Sequence, residues 1–272
     1  MIQDIDPQCG FVFRFMRRID WLFLISFLAA GVLVLGGCPK EKPSVSAAKQ
    51  KEAQGHYDMA MAFMQNDKGS QALDELEKAK AVNPFDSAVS NALGLVYFSK
   101  ERFDKAEGAY KKAIELDSKN SDARHNLGTL YLYLGRYDEA VNQFNEALAD
   151  DSYRNQANTL NSLGWICYKQ QDYVRAEQYF KDVINRDGRY LIAYDALAKV
   201  FMATNRIDDA VAQLNKVLEI APMYPEANLD LGICFLKKGE KAKARENFMK
   251  VLQADPLGKL GSQAQEYLNI LD

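Results

Sequence analysis

The sequence predicts an all-α fold in which six helix-turn-helix units stack into a superhelix and a last helix closes the array. Three observations predict it. An alanine recurs at Ala72, Ala106, Ala140, Ala176, Ala210 and Ala244, at steps of 34, 34, 36, 34 and 34 residues. Twelve residues before each of these stands a small residue: Ala60, Gly94, Gly128, Gly164, Ala198 and Gly232. Four residues after each stands a large one: Leu76, Tyr110, Phe144, Phe180, Leu214 and Phe248. A fixed period of this kind marks a solenoid whose units bury their apolar faces only against one another.

With the alanine set at position 20, the units begin at Ala53, Ser87, Ser121, Ala157, Leu191 and Pro225, so the repeats occupy residues 53–258. Each unit holds two helices, A and B. The small residue at position 8 lies where helix A crosses helix B and lets the backbones approach; a leucine replacing Gly128 is expected to overpack the crossing by about 1 to 3 kcal/mol. The large residue at position 24 is expected to fill the space between units. Helix B ends near Asn83-Pro84, Asp117-Ser118, Asp151-Ser152, Asp187-Gly188, Ala221-Pro222 and Asp255-Pro256. Pro, Gly and Ser stop a helix there by removing a donor, loosening the backbone or competing for its hydrogen bonds. Leu260, Ala264, Tyr267, Leu268 and Leu271 then form an apolar stripe of helical spacing, which predicts a capping helix over 259–272. The period and these columns resemble the tetratricopeptide repeat, a resemblance that implies a binding scaffold.

Residues Trp21 to Leu35 form a charge-free run with Ser26 its only polar residue, preceded by Met16-Arg17-Arg18 and followed by Gly36-Gly37-Cys38. A basic start, an apolar middle and small residues at the cut are the layout of a secretory signal, here assigned to residues 1–37 with Met16 as the suspected true start. Leu35-Gly36-Gly37-Cys38 resembles the bacterial lipobox, which implies that Cys38 is acylated and becomes the first residue after cleavage. The alternative is an uncleaved anchor from Trp21 to Pro39, close to the roughly 20 residues that span a bilayer. Several acyl chains on one cysteine amount to stable attachment, because each buried methylene contributes about 0.8 kcal/mol. Pro39, in place of an aspartate after the cysteine, points to an outer-membrane lipoprotein facing the periplasm. The linker 38–52 contains Pro39 to Ser46, polar and proline-bearing, an extended spacer of roughly 25 Å at about 3.1 Å per residue.

A net charge of -3 excludes the clustered cationic field that nucleic acid requires. Cys9, Cys38, Cys167 and Cys234 sit at no metal-ligand spacing and His56 and His125 are the only histidines, so neither a metal nor a cofactor is expected. Cys167 and Cys234 fall in inward-facing columns two repeats apart and read as small buried hydrophobes, too far separated for a disulfide. No nucleophile set, paired-carboxylate site or glycine-rich phosphate loop survives the repeat assignment, so the chain reads as neither an enzyme nor a small-molecule receptor.

On helix A, positions 2, 5, 9 and 12 share one face, which lines the concave groove in this architecture. Position 12 reads Met64, Phe98, Leu132, Tyr168, Met202 and Leu236; position 9 reads Met61, Leu95, Thr129, Trp165, Lys199 and Ile233. The lining suits an amphipathic helix or extended apolar segment of another protein, with Leu95, Phe98, Leu132, Trp165 and Tyr168 as candidate contacts. The alternative is that several of them pack against neighbouring helices A. The lysine and asparagine set with which chaperone-type arrays clamp a C-terminal carboxylate is absent, and His125 reads as an ordinary polar lining residue.

The step of 36 residues falls between Ala140 and Ala176, where Asp151-Ser152-Tyr153-Arg154-Asn155-Gln156-Ala157 leads into Asn161-Ser162-Leu163-Gly164-Trp165. Together with Cys38 and the six repeats, this junction resembles the type IV pilus biogenesis and stability lipoproteins, the pilotin family. The resemblance implies a partner in the outer-membrane secretin, a lipid anchor at Cys38 and a role in secretin localisation and multimerisation. It supplies no motif that fixes single binding residues. A general periplasmic adaptor lipoprotein that recruits cell-envelope enzymes is the competing reading.

Overall fold

The computed structural model describes residues 45–271, and the regular structure among them is entirely helical, in thirteen α-helices. The expected leader 1–37 with Met16, the candidate acylation site Cys38 and the expected spacer up to residue 44 lie outside the described residues. Helices α1 (Ala47–Gln65) and α2 (Gly69–Val82) form the first hairpin, α3 (Ser87–Ser99) and α4 (Phe103–Leu116) the second, and α5 (Ser121–Tyr133) and α6 (Tyr137–Leu148) the third. Next come α7 (Gln156–Lys169) with α8 (Tyr173–Arg186), α9 (Leu191–Ala203) with α10 (Ile207–Ile220), and α11 (Pro225–Lys237) with α12 (Lys241–Ala254). The last helix, α13 (Lys259–Leu271), lies against α12 and α11.

Three helices start where a side chain receives their first N–H groups. Asp86 accepts from the N–H of Ala88 and Val89, Asn120 from that of Ala123, and Asp172 from that of Arg175. Pro225 opens α11 at a position where its missing donor costs nothing. Two boundaries differ from expectation. Helix α1 begins at Ala47, ahead of the unit start at Ala53, so residues 47–52 are helix rather than linker. Helix α6 ends at Leu148 instead of Asp151, because Asp150 turns the chain by accepting from the N–H and hydroxyl of Ser152.

Every A–B turn contains one residue in the left-handed region at position 15: Asp67, Glu101, Gly135, Gln171, Asn205 and Gly239, with φ between 56° and 76°. The following N–H reaches back to position 11, as Arg102 does to Tyr97 at 2.8 Å and Asp172 to Cys167 at 2.9 Å. This closes helix A in the manner of a left-handed cap.

The core is a chain of local clusters between consecutive units. All six recurrent alanines are fully buried, as are Leu76, Phe144, Phe180, Leu214 and Phe248. The role expected for position 8 needs refinement. A methyl group added at Gly94, Gly128, Gly164 or Gly232 would stand 2.4 to 2.7 Å from the ring at position 24 of the same hairpin, Tyr110, Phe144, Phe180 or Phe248. Where position 24 is Leu76 or Leu214, position 8 is Ala60 or Ala198. The large side chain therefore lies across helix A of its own unit, and a ring demands glycine where a leucine leaves space for alanine.

Cys167 and Cys234 are buried free thiols. The apolar stripe of α13 faces the last hairpin: Ala264 and Leu268 are buried, and Tyr267 stacks on Phe248 with ring centroids 4.9 Å apart. Consecutive units are also tied by a recurring motif. Arg136 lies over the ring of Tyr131 and bonds Glu107 of the preceding hairpin at 2.7 Å; Arg206 lies over Phe201 and bonds Glu177 at 2.8 Å.

Candidate functional site

Neighbouring A helices touch directly, α3 with α5, α5 with α7 and α7 with α9, while helices B approach chiefly the A helices beside them. The array thus curves towards helix A, and the face carried by positions 2, 5, 9 and 12 is the inner one. Its aromatic and aliphatic side chains are there because helices A of successive units place them in register, 34 to 36 residues apart in sequence.

Leu95, Phe98, Leu132, Trp165 and Tyr168 are all half-buried, each resting on the core with part of its surface open. Leu95, Phe98 and Leu132 sit on the cluster that runs from the second hairpin into the fourth, Trp165 and Tyr168 on that from the fourth into the sixth. Trp165 meets Tyr168 edge-on at 5.4 Å and Phe180 at 5.6 Å, and Tyr168 meets Tyr173 at 5.6 Å. Phe98 turns towards the A–B turn, 5.9 Å from Phe103 and 5.6 Å from Tyr133. Tyr133 itself is 63% exposed and escaped the column analysis because it stands at position 13, beside the groove columns. The five candidates therefore fall into two groups, each with its own aromatic contacts, rather than one stripe.

The face is also more polar than its columns suggested. Asn126 donates to Asn91 Oδ1 at 2.9 Å, and His125 Nδ1 lies 2.8 Å from Thr159 Oγ1, so both bonds join neighbouring A helices. Burial holds the His125 imidazole below its usual range, with Asp122 opposing only in part. A neutral ring hydrogen-bonded to a buried threonine is a lining residue of the groove wall.

Further along, Lys199 Nζ bonds Asp195 Oδ2 at 2.5 Å within α9 and stands 2.9 Å from Asp230 Oδ2 of α11, without hydrogen-bond alignment in the second contact. Burial pushes the Asp195 carboxyl above its ordinary value although Lys199 pulls the other way. Burial lowers the Lys199 ammonium, yet Asp230 and Asp195 more than offset this and hold it above its ordinary value. Asp195 Oδ1 and Asn161 Oδ1, at position 5 of successive units, are buried acceptors without a donor. The sequence signals for this cluster were the i,i+4 spacing of Asp195 and Lys199 and the carboxylate at position 6 of the next unit.

At the lengthened junction, Tyr153 is buried with its ring 6.5 Å from that of His125, and burial pushes its hydroxyl up to about 12. Asn155 donates to Asp122 at 3.0 Å and Ser121 to Asp150 at 3.0 Å, so the extra residues are folded into the array. Among the described residues no group of three or more His, Cys, Asp and Glu side chains is arranged to hold a metal ion, and no helix is long and apolar enough to cross a membrane.

The tetratricopeptide repeat pattern matches residues 86–152 and 123–189, and a second form of it matches 196–258. Among curated proteins, the Hsp70-Hsp90 organising protein of Plasmodium falciparum is 26% identical over 106 residues, which is 39% of this chain and 42% of that protein. DnaJ homolog subfamily C member 3 of Rattus norvegicus is 33% identical over 89 residues, 33% of this chain and 18% of that protein. The chain thus spans less than half the length of these relatives. Among solved structures, PilF of Pseudomonas aeruginosa superposes with a TM-score of 0.72 at 17% identity, covering 81% of this chain and 99% of PilF. PilW, a widely conserved type IV pilus biogenesis factor, superposes with a TM-score of 0.73 at 21% identity, covering 79% of this chain and 98% of PilW. At such identities the likeness is one of fold.

Proposed function

Because the chain belongs to the tetratricopeptide repeat family, whose members are in general non-catalytic scaffolds for protein partners, we propose that it is a pilotin: an outer-membrane lipoprotein, anchored through Cys38 and facing the periplasm, that binds a type IV pilus secretin subunit and assists its localisation and multimerisation. The single observation that carries this reading is the match in extent with PilF and PilW. Almost the whole of each solved chain, 99% of PilF and 98% of PilW, superposes on about four-fifths of this chain, which supports the reading by extent as well as by repeat type. The lipobox before the array and the Tyr153 junction support the same reading from the sequence.

The proposed contact is the concave A-helix face, with Trp165 and Tyr168 in one group and Leu95, Phe98 and Leu132 in the other. A half-buried aromatic resting on a rigid core is well placed to act as an anchor, since it loses little freedom on binding. Deleting the gene should leave the secretin monomeric or misplaced on semi-denaturing gels of membrane fractions. Trp165→Ala should reproduce that loss in part, through a binding defect of about 2 kcal/mol, while the protein stays folded. Normal secretin multimers in the deletion strain would end the pilotin reading. Capture of a cell-wall hydrolase with no secretin would favour the adaptor reading.

A further inference from the structure

The turns that join helix B of one unit to helix A of the next carry a pattern that stacking does not require. Counted from the unit starts, position 33 near the tip of each turn reads Phe85, Lys119, Tyr153, Arg189, Met223 and Leu257. In the lengthened junction Tyr153 is withdrawn into the core and Arg154 is exposed beside it. Turns favour Asn, Asp and Gly, yet this column is aromatic, aliphatic or basic and never acidic. Phe85, Met223 and Leu257 are 42%, 45% and 97% exposed, so burial in the core does not account for their apolar character. The polar residues two places earlier serve the turn itself: Asn83, Asp117 and Asp187 each accept the backbone N–H of the position 33 residue, at 2.9 to 3.2 Å. Arg154 and Arg189, by contrast, are exposed, and their side chains enter no hydrogen bond or ion pair among the described residues.

These turns share one edge of the array with the start of α1, because every helix A sets out from the end at which a helix B finishes. Ala47 follows Cys38 by nine residues, so a lipid on that cysteine holds the first turn of α1 within roughly 30 Å of the bilayer. Lys49 and Lys51 are exposed there, and the first turn of α1 has no acidic residue although the helix dipole favours one. We propose that this junction edge is a membrane-contact surface, lying against the anionic phospholipid bilayer in which Cys38 is anchored. Apolar tips such as Met223 and Leu257 enter the boundary between headgroups and acyl chains, and the basic tips lie against lipid phosphates. Apolar and cationic side chains in one exposed column are the combination that such a surface recognises, since the long stem of an arginine or lysine rests on apolar surface while its charge stays among the headgroups. The A–B turns, at the other end of the hairpins, then point away from the lipid. The inference rests on the lipid-anchored reading of Cys38.

Protein purified from membranes and reconstituted into vesicles of phosphatidylcholine and phosphatidylglycerol tests it. Leu257→Cys and Met223→Cys, at exposed positions that the fold does not depend on, carry an NBD fluorophore, with the unaltered protein giving the labelling background. Both labels should shift to the blue and be quenched about twofold or more by spin-labelled lipid, as for a side chain in the headgroup boundary. Asp138→Cys, on an exposed A–B turn, should respond to neither. Arg154→Gln combined with Arg189→Gln should reduce the quenching at both tips, as should raised salt or vesicles of phosphatidylcholine alone. Flotation of the same vesicles separates this inference from the anchor. Protein that floats while its tip labels stay unquenched overturns the edge contact, leaves the anchor standing and assigns the tips to a protein partner instead. Quenching at Asp138→Cys equal to that at the tips overturns the edge contact as well. Protein that does not float overturns the anchor and the edge contact together.

Discussion

At Gly128 the absent side chain is a matter of volume, because a methyl there would lie 2.7 Å from the Phe144 ring. Gly128→Ala should therefore destabilise the array by about 1 to 3 kcal/mol despite the better helix propensity of alanine. Adding Phe144→Leu should restore part of that loss, since Ala60 with Leu76 and Ala198 with Leu214 are the arrangement already used in two units. Urea unfolding of both single variants and the double variant measures the coupling, and strict additivity would refute the size-matching account. His125 carries a different expectation. Its folded-state value lies below the unfolded one near 6.5, so the fold prefers the neutral ring. Its contribution is complete above the unfolded value and falls away as pH drops through that value towards the folded one, because the unfolded chain takes up the proton first. His125→Asn should accordingly show a smaller drop in melting temperature between pH 8 and pH 5.5 than the unaltered protein.

Helices A and B are joined by turns that all need one left-handed residue, and only Gly135 and Gly239 adopt that conformation without steric cost. Gln171 adopts it at φ 61° with a side chain that opposes it. A left-handed residue other than glycine costs about 1 to 2 kcal/mol, while glycine loses about 0.5 to 1 kcal/mol of extra freedom on folding. Gln171→Gly should therefore raise stability by about 0.5 kcal/mol, read as a higher urea midpoint with an unchanged slope. Position 15 was silent in the sequence because Asp, Glu, Gly, Gln and Asn are polar or small like most exposed turn residues, and the backbone angle is what sets this position apart. The apolar columns were legible for the opposite reason: burial repeats wherever the hairpin repeats, so Ala72 to Ala244 recur as a class. The cap was legible in the same way, through Leu260, Ala264, Tyr267, Leu268 and Leu271. The early end of α6 was not, because the Asp150–Ser152 turn that stops it competes locally with a sequence that could have continued as helix.

For the molecule as a whole, stability is a sum over neighbouring hairpins, and the described contacts join each unit to the next. Such an array presents one long face, and what the face is used for depends on where the chain is held. Cys38→Ser should abolish labelling by a fatty-acid analogue and release the protein from membranes; membrane association that persists unchanged would favour the uncleaved apolar segment from Trp21 to Pro39.

The sequence by itself determined the repeat, its period, the six hairpins and the cap, because each rests on one-dimensional recurrence of burial. It also singled out Leu95, Phe98, Leu132, Trp165 and Tyr168 as members of exposed-side columns. Only the tertiary structure decided how these divide, with Phe98 turned to Phe103 and Tyr133 and Trp165 joined to Tyr168, since ring orientation depends on neighbours from other units. It alone brought Asp195 and Lys199 of one unit against Asp230 of the next, and left Asp195 Oδ1 and Asn161 Oδ1 without donors. The physical reason is that hydropathy is a property of a residue, whereas pairing of polar atoms is a property of the space between residues.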